Sequence, residues 1–317
     1  MPAAQDPRDP GRHLLGPHVV GQRIVVRRLV RGETGPTGGP AMTDLLGICL
    51  AWEDGVCLVQ PESGEPVPVA VGDIVSGKPV PPRPSVRMRV PARDAELHTA
   101  SLWPSVETFP LGEWVLRTDT APVGRLRRRA NSCLAMGDPG MAFEDAAAAV
   151  RDFYAERGRP PYVQVELGSE LEAAFIRSGW QVDPTGDAEL RLAALTQVRR
   201  RLRAVGGTAG LAADGPRALA TMGDGGSRWA RGEAAVDGDW LGIHSLEVAP
   251  AHRRQGLATA VTAELLEWGA EQGATTVWLH VETDNAPALA FYDGLGLARH
   301  HTCRYLRPAG SPAPATR

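Results

Sequence analysis

The sequence lacks several features that mark whole classes of protein. Its 317 residues include four cysteines, none in a CxxC pair or beside other metal-ligand residues, so we expect packed, reduced thiols, no metal and a cytoplasmic location. No apolar run reaches the roughly 18 residues that span a bilayer, and the N-terminus lacks the pattern of a secretion signal. A formal net charge of −3 gives no broad basic surface. We therefore expect neither a membrane nor a nucleic-acid partner.

The residues that are present divide the chain into segments. Residues 1–17 are Pro-rich and polar and predict a disordered arm, and residues 309–317 predict a disordered tail. Between residues 18 and 80, short Val- and Ile-rich runs alternate with turn residues, which predicts a small β-barrel. Prolines crowd residues 81–87 and predict a stiff linker.

Beyond the linker, apolar strand patterns alternate with helical ones, which predicts an α/β (α+β) fold with a mixed central sheet. Residues 88–195 and 196–308 form two successive regions of this kind. The expected strands are Glu113–Thr118, Tyr162–Glu166, Trp240–Val248, Thr276–Glu282 and Arg299–Leu306, and the expected helices are Ala142–Arg157, Glu170–Ser178, Leu257–Gln272 and Ala286–Gly294.

The two regions also resemble each other residue by residue, which suggests an internal duplication. In each region a helix ends at a glycine before a strand, and a second helix follows that strand. The matching pairs are Ala155-Glu-Arg-Gly158 with Ala270-Glu-Gln-Gly273, Val165-Glu166 with Val281-Glu282, Ala174-Phe175 with Ala290-Phe291, and Gly179-Trp180 with Gly296-Leu297.

The strongest functional signal is the stretch Leu246-Glu-Val-Ala-Pro-Ala-His-Arg-Arg-Gln-Gly-Leu-Ala-Thr259. A strand ends at Pro250, and a helix begins near Leu257 after Arg253-x-x-Gly256. The first turn of a helix has free N–H donors and a positive dipole end, so it suits a diphosphate. The chain contains neither GxGxxG nor GxxxxGK[ST], which argues against a dinucleotide-binding turn and a P-loop. A solvated, inert helix start remains the alternative.

A second signal follows the next strand. Asn285, Ala288 and Tyr292 are spaced to lie on one helix face. A polar residue, a small residue and a phenol on one face suit a narrow ligand lying alongside. An ordinary amphipathic helix with a core tyrosine is the alternative.

Together these two motifs resemble the acetyl-CoA loop, R/Q-x-x-G-x-G/A, and the later Asn…Phe-Tyr helix of GNAT (GCN5-related) N-acetyltransferases. Ala258 stands at the position of the second glycine. The layout also resembles an actinobacterial GNAT group with an N-terminal SH3-like barrel, in which stretches similar to Ala130-Asn-Ser132 and Met136-Gly-Asp-Pro-Gly-Met141 occur. The resemblance implies that residues 196–308 bind acetyl-CoA and that residues 88–195 are a degenerate GNAT-like copy.

The resemblance also implies roles for individual residues. The backbone of Leu246 and Val248 is expected to pair with the pantetheine arm, Asn285 to contact the pantetheine region, and Tyr292 to lie near the CoA sulfur. The diphosphate is expected on seven consecutive residues: Arg253, Arg254, Gln255, Gly256, Leu257, Ala258 and Thr259.

These roles imply the chemistry of an amine attacking acetyl-CoA directly in a ternary complex. Glu247 is the candidate base, because strand alternation places its side chain on the face opposite Leu246 and Val248. His244 and Glu282 are the alternative bases. The Val248 N–H is the candidate hydrogen-bond donor to the oxyanion. Tyr292 is the candidate proton donor to the departing thiolate.

Three functions remain open at this point: an acetyltransferase, a CoA-binding pseudoenzyme, and an enzyme for a larger acyl-CoA. The acceptor is expected to be an amine, on either a small molecule or a peptide or protein, and a homodimer is left open. The basic run Arg125-Leu-Arg-Arg-Arg129 is expected to be a solvated face, with attraction of an acidic substrate or of the CoA 3′-phosphate as the alternative.

Overall fold

The computed structural model describes residues 14–35, 38–61, 63–80, 86–122, 124, 126–184, 186–202, 209–224 and 226–310. The chain divides into two compact units, Met1–Pro84 and Ser85–Arg317. Within the predicted arm, linker and tail, residues 1–13, 81–85 and 311–317 lie outside the described residues. Among the helices described, none is both long enough and apolar enough to cross a bilayer.

The first unit is an antiparallel sheet of five strands around a small apolar core. Along its first strand, Ile24 and Val26 are buried and their neighbours are more exposed, as expected when one face packs inward. Leu15, within the predicted arm, is buried in the same core. The strands are β1 Arg23–Thr34, β2 Pro40–Glu53, β3 Val56–Pro61, β4 Val67–Ala70 and β5 Ile74–Pro79, in the order β4-β3-β2-β1-β5. The SH3-like assignment of this unit stays a prediction.

The second unit is built on one large mixed sheet, which confirms the predicted fold class. Its strands are β6 Val106–Leu111, β7 Trp114–Asp119, β8 Cys133–Leu134, β9 Val163–Glu166, β10 Trp180–Val182, β11 Ala188–Ala194, β12 Gly210–Asp214, β13 Arg217–Asp224, β14 Ser227–Asp237, β15 Trp240–Val248, β16 Thr276–Glu282 and β17 Ala298–Pro308. Its helices are α1 Ala92–Leu97, α2 Phe143–Glu156, α3 Glu170–Arg177, α4 Leu195–Arg201, α5 Leu257–Glu271 and α6 Ala286–Leu295. The strand order is β12-β13-β14-β15-β16-β11-β17-β9-β8-β7-β6, and β10 pairs with β17.

The order of elements repeats within this unit. In the first repeat (residues 133–194), strands β8 and β9 flank α2 and pair in parallel, and α3 follows. In the second repeat (residues 240–308), β15 and β16 flank α5 and pair in parallel, and α6 follows. The pairs of motifs that match in the sequence therefore lie on corresponding elements.

The two repeats exchange their last strands. Strand β11, which ends the first repeat, pairs along its whole length with β16 of the second repeat. Strand β17, which ends the second repeat, pairs with β9 and β10 of the first. Because β11 and β17 also pair with each other, the centre of the sheet belongs to both repeats at once.

The ends of the helices repeat as well. Ser169 caps α3 by accepting a hydrogen bond from the Glu172 amide, and Asn285 caps α6 by accepting one from the Ala288 amide. After the helices, Gly179 and Gly296 both have positive φ, +87° and +80°. Glycine adopts this conformation readily at the C-terminal end of a helix, so the same local chemistry starts and ends both helices.

Helix α5 lies close to β14 and β15 because glycine stands at the points of contact. A Cβ on Gly232 would lie 2.8 Å from Val261 Cγ1, and one on Gly269 would lie 2.5 Å from Leu241 Cδ2. Val261 and Leu265 are fully buried there, and each such side chain contributes roughly 1.5–3 kcal/mol. This packing fixes the start of α5 beside the end of β15.

Candidate functional site

The turn between β15 and α5 is an open main-chain site. A one-turn 3₁₀-helix spans Pro250–His252, and Gly256 precedes α5 with φ +79°, a left-handed conformation that suits glycine. No side chain caps this helix, and the Ala260 amide makes the first intrahelical bond, to the Gly256 carbonyl. The amides of the first turn are therefore available to an anion.

All the residues predicted to hold a diphosphate lie on this turn or on the first turn of α5: Arg253, Arg254, Gln255, Gly256, Leu257, Ala258 and Thr259. The three before Gly256 are exposed, and Arg254 also has a positive φ, +61°. The Arg253 guanidinium donates to the Val248 carbonyl at 3.3 Å. From β14, Trp229 stacks on His252 with ring centroids 5.0 Å apart, which supports the turn from the sheet.

Strands β15 and β16 are paired only at their beginnings. The parallel pairing runs from Trp240 to Gly242 on β15 and from Thr276 to Trp278 on β16. Beyond these residues β15 continues to Val248 and pairs with β14 alone. The edge of β15 that faces β16 is therefore open over its second half.

The register shows which amides face this open edge. Ala249 donates its N–H to the Trp229 carbonyl at 2.8 Å, towards β14. Successive residues of a strand point their N–H and C=O groups to opposite edges, so those of Val248 and Leu246 point away from β14. These are the two residues predicted to pair with an extended ligand.

A bulge in β15 sets the faces of its side chains. Gly232 of β14 falls opposite the bulge, between the pairs Arg231 with Glu247 and Glu233 with His244, and Ser245 there has φ +51°. After the bulge, Leu246 and Val248 pack against the α5 core. Glu247 lies on the other face, as predicted, and accepts from Arg231 at 3.0 and 3.2 Å.

Helix α6 holds the other predicted residues. The Asn285 side chain accepts from the Ala288 amide at 3.3 Å, so it caps the helix while remaining exposed. Tyr292 is buried in the core that also contains α5, and burial raises its pKa to about 12. The phenol therefore keeps its proton, but it is a weaker acid than an exposed tyrosine.

A cleft of about 470 Å³ lies on the Glu247 face of the sheet. Four arginines line it: Arg127, Arg128, Arg129 and Arg231. The other lining residues are His244, Ser245 and Glu247 of β15, Glu282 at the end of β16, and the aromatic rings of Trp103 and Tyr305. The basic run predicted to be solvated thus contributes three side chains to a cleft, while its first residue, Arg125, lies outside the described residues.

His244 is the least suitable of the three candidate bases. Burial, followed by the positive charges of Arg127 and Arg129, lowers its pKa to about 3. Its Nδ1 lies 3.0 Å from Ser245 Oγ, a contact that a neutral imidazole can make as donor or acceptor. A ring with so low a pKa cannot take a proton from an ammonium group efficiently.

A buried polar cluster centred on Glu96 lies on the same unit. Its carboxylate contacts His280 Nε2 at 2.6 Å, Cys303 Sγ at 3.1 Å, Thr99 Oγ1 at 3.2 Å and His301 Nε2 at 3.3 Å. Burial opposes the charge, but the facing imidazoles outweigh it and hold the Glu96 pKa well below its ordinary value. The Glu96, His280 and Cys303 ligand atoms lie within 4.8 Å of one another; these contacts form a hydrogen-bonded cluster, and the expected lack of a metal stays a prediction.

Comparisons of sequence give matches to a protein-family model and to known proteins. Residues 187–306 match the protein-family model described as Probable histone acetyltransferase Rv0428c C-terminal. Over 314 aligned residues the chain is 29% identical to "Probable histone acetyltransferase Rv0428c" of Mycobacterium tuberculosis, a match that covers 92% of this chain and 96% of that protein. A shorter match, 37% over 54 residues, covers 36% of the [Ribosomal protein bS18]-alanine N-acetyltransferase of Escherichia coli.

A comparison of structure agrees with these. The solved structure of a GCN5-related N-acetyltransferase from Kribbella flavida superposes with a TM-score of 0.55 at 18% identity, over 72% of this chain and 97% of that one. At this identity the likeness concerns the fold. Both motifs lie on the predicted elements, and together with these matches they support the GNAT superfamily for this chain and an acyltransferase activity of that type.

Proposed function

We propose that the protein transfers the acetyl group of acetyl-CoA to a primary amine by direct attack in a ternary complex. The observation that carries this proposal is the continuity of three features. The uncapped start of α5 meets the open edge of β15, and the cleft lies on the Glu247 side of that edge. These three adjoining surfaces suit, in this order, a diphosphate, an extended arm and an acceptor.

The donor is held by main-chain groups of this chain. The amides from Arg254 to Thr259 hold the diphosphate, and Gly256 leaves room for its approach. The outward-facing groups of Leu246 and the carbonyl of Val248 pair with the amides of the pantetheine arm as an added strand would. Asn285 acts here through the helix that it caps, because its side-chain oxygen already accepts from the Ala288 amide.

Glu247 is the proposed base, directly or through a water molecule. It lines the cleft, and a carboxylate can remove the proton that an ammonium must lose before it attacks. Arg231 orients the carboxylate through two hydrogen bonds. Glu282, at the end of β16 and in the same cleft, is the alternative base.

The remaining charges of the reaction are the oxyanion and the thiolate. The Val248 N–H faces the open edge, where it can donate to the developing oxyanion. Tyr292 donates a hydrogen bond to the departing sulfur. Because burial raises the Tyr292 pKa to about 12, we assign it stabilisation of the thiolate by hydrogen bonding.

Replacement of Tyr292 by Phe tests this assignment. We expect kcat to fall about 10- to 100-fold, since one hydrogen bond to a charged group is lost in the transition state. The Kd of acetyl-CoA, measured by calorimetry, should stay within about twofold, because the ring is retained. An unchanged kcat, or a weakened Kd as the main effect, would remove Tyr292 from the mechanism.

Replacement of Glu247 by Gln tests the base. We expect kcat/KM for the amine to fall about 10- to 100-fold, because the carboxamide cannot take up the proton of the ammonium. Glu233→Gln is the matched control, because Glu233 also lies beside Arg231, at 3.6 Å, but does not belong to the residues that line the cleft. If Glu282→Gln gave the loss and Glu247→Gln did not, the base would be Glu282.

Two other functions are separated by assaying release of free CoA with a panel of amines. A CoA-binding pseudoenzyme would bind acetyl-CoA in calorimetry and release no CoA with any amine. An enzyme for a larger acyl group would prefer propionyl- or longer acyl-CoA to acetyl-CoA at equal concentration. The acetyltransferase predicts both binding and release, with acetyl-CoA preferred.

The cytoplasm remains our proposal for the compartment. Its support is chemical, because all four cysteines are buried free thiols, as is usual where thiols are kept reduced.

A further inference from the structure

Two of the four arginines in the cleft are neutralised by carboxylates of this chain. Arg231 makes the paired contact to Glu247 already described. Arg128 Nη1 lies 2.7 Å from Asp183 Oδ1, whose side chain is fully buried, and its guanidinium lies over the Tyr305 ring at 4.6 Å. These two side chains are held in place by partners within the fold.

The part of the chain that the structure describes holds no such partner for the other two, Arg127 and Arg129. Among the described residues, neither has a carboxylate within ion-pair distance. The Arg127 guanidinium lies over the Trp103 ring, 5.6 Å from its centroid. The Arg129 Nε is buried and finds no hydrogen-bond partner among the residues described, and a buried donor left without an acceptor is costly. An anion in the cleft would supply the missing acceptor.

The positive charge of this pair acts inside the cleft. After burial, Arg127 and Arg129 are the next two causes that lower the pKa of His244, which lines the same cleft. The field that disfavours a proton on His244 favours an anionic group nearby. The cleft also contains Glu247 and Glu282, which suit an ammonium, so it offers complementary charges to a molecule that carries both signs.

We infer that the amine acceptor carries a carboxylate, which Arg127 and Arg129 bind while its amine faces Glu247. This inference rests on the proposed acyl transfer and names the substrate class for it. A guanidinium binds a carboxylate through paired N–H donors in a fixed plane. A cleft of about 470 Å³ is the size of a small-molecule site, so the acceptor is an amino acid or a compound of similar size.

The experiment compares amino acids with their carboxamides as acceptors, using the full chain. The two members of each pair differ in one negative charge. We expect kcat/KM, from release of CoA, to favour the acid about tenfold or more. A lysine-rich peptide forms a third arm and should be a poorer acceptor than the acids. Equal or better turnover of the amides or of the peptide would overturn the inference.

Variants assign the preference to the two side chains. Arg127→Gln and Arg129→Gln should each bring the ratio of kcat/KM for the acid to kcat/KM for the amide closer to one. Arg129→Lys should retain part of the preference for the acid. The Kd of acetyl-CoA should not change. Arg200→Gln, on the exposed face of α4, is the control and should leave both quantities unaltered. If the Gln variants instead weakened acetyl-CoA binding, these arginines would serve the CoA phosphate and the inference would be wrong.

A binding measurement keeps the inference independent of turnover. N-acetyl amino acids and their amides can be titrated into the protein with CoA present, and we expect the acids to bind about tenfold more tightly. If acetyl-CoA binds and no amine is acetylated, the proposed function is wrong. The affinities of the acids and the amides would still show whether the cleft prefers a carboxylate. Equal affinity for acids and amides would overturn it.

Discussion

Replacing Gly256 with Asp should raise the Kd of acetyl-CoA by more than 100-fold. The residue immediately precedes α5 with φ +79°, where the proposed diphosphate approaches the main chain. A carboxylate about 4 Å from one phosphate charge costs about 4 kcal/mol at an effective dielectric constant of 20, and the added Cβ occupies the approach path. Calorimetric titration of the purified full chain measures the change.

Gly273→Asp is the matched control for this variant. Gly273 follows the other end of the same helix, also has positive φ (+86°), and an added Cβ there would have nothing within 4 Å. The two variants therefore share the backbone strain and the added charge, and only one stands at the proposed diphosphate site. A Gly256→Asp protein that folds and binds acetyl-CoA within tenfold of the parent would refute the site.

Replacing Glu96 with Ala should lower the free energy of unfolding by about 3–5 kcal/mol. The substitution removes the carboxylate that accepts from His280, Cys303 and Thr99, and leaves those buried polar groups without it. Denaturant unfolding measures the loss. Asp94→Ala on the same helix is the control, because the Asp94 side chain is 53% exposed, and it should change stability by no more than about 0.5 kcal/mol.

The same comparison has a predicted pH dependence. The folded-state pKa of Glu96 is depressed, so its ionised form contributes stability above the unfolded value of about 4.3. That contribution is lost as the pH falls from there through the folded-state pKa. The difference between parent and Glu96→Ala should therefore be constant near neutral pH and shrink below about pH 4. A difference that grew on acidification would contradict a stabilised carboxylate.

The donor side of the site was predictable from sequence because its signal is local. Strands β15 and β16 begin and end where the apolar patterns place them, and α5 ends one residue before its predicted limit. Pro250 follows the end of the strand and Gly256 precedes the helix, and proline and glycine mark such boundaries because they restrict or free the backbone angles directly. The residue roles on these elements remain proposals.

Strands β12, β13 and β14 were not predicted, and their composition explains why. The buried positions of β13 and β14 are largely alanines, including Ala218, Ala220, Ala230 and Ala234. Alanine is a poor strand former, so these segments lack the β-branched pattern that indicates a strand. Here it is the close packing of α5 that selects small side chains.

The cleft and the buried cluster were missed because their members are distant in sequence. Trp103 and Arg127 meet Glu247 only through the fold, and the run at residues 125–129 has the charge of an ordinary solvated loop. Glu96 meets His280 and Cys303 across 184 and 207 residues, a separation at which no spacing rule applies. The one local signal was the basic run itself, and only the fold shows that it lines a cleft.

The exchange of β11 and β17 determines how the second unit can be divided. A fragment that starts at residue 196 lacks β11, so the facing edges of β16 and β17 would have unpaired backbone groups. Such edges recruit other chains and promote aggregation. The interleaving also makes each repeat a template for the other, so we expect both to unfold in one cooperative step. The side of the cleft that contains Arg127 and the helix that follows Gly256 therefore belong to one folding unit, and neither is expected to fold as a separate domain.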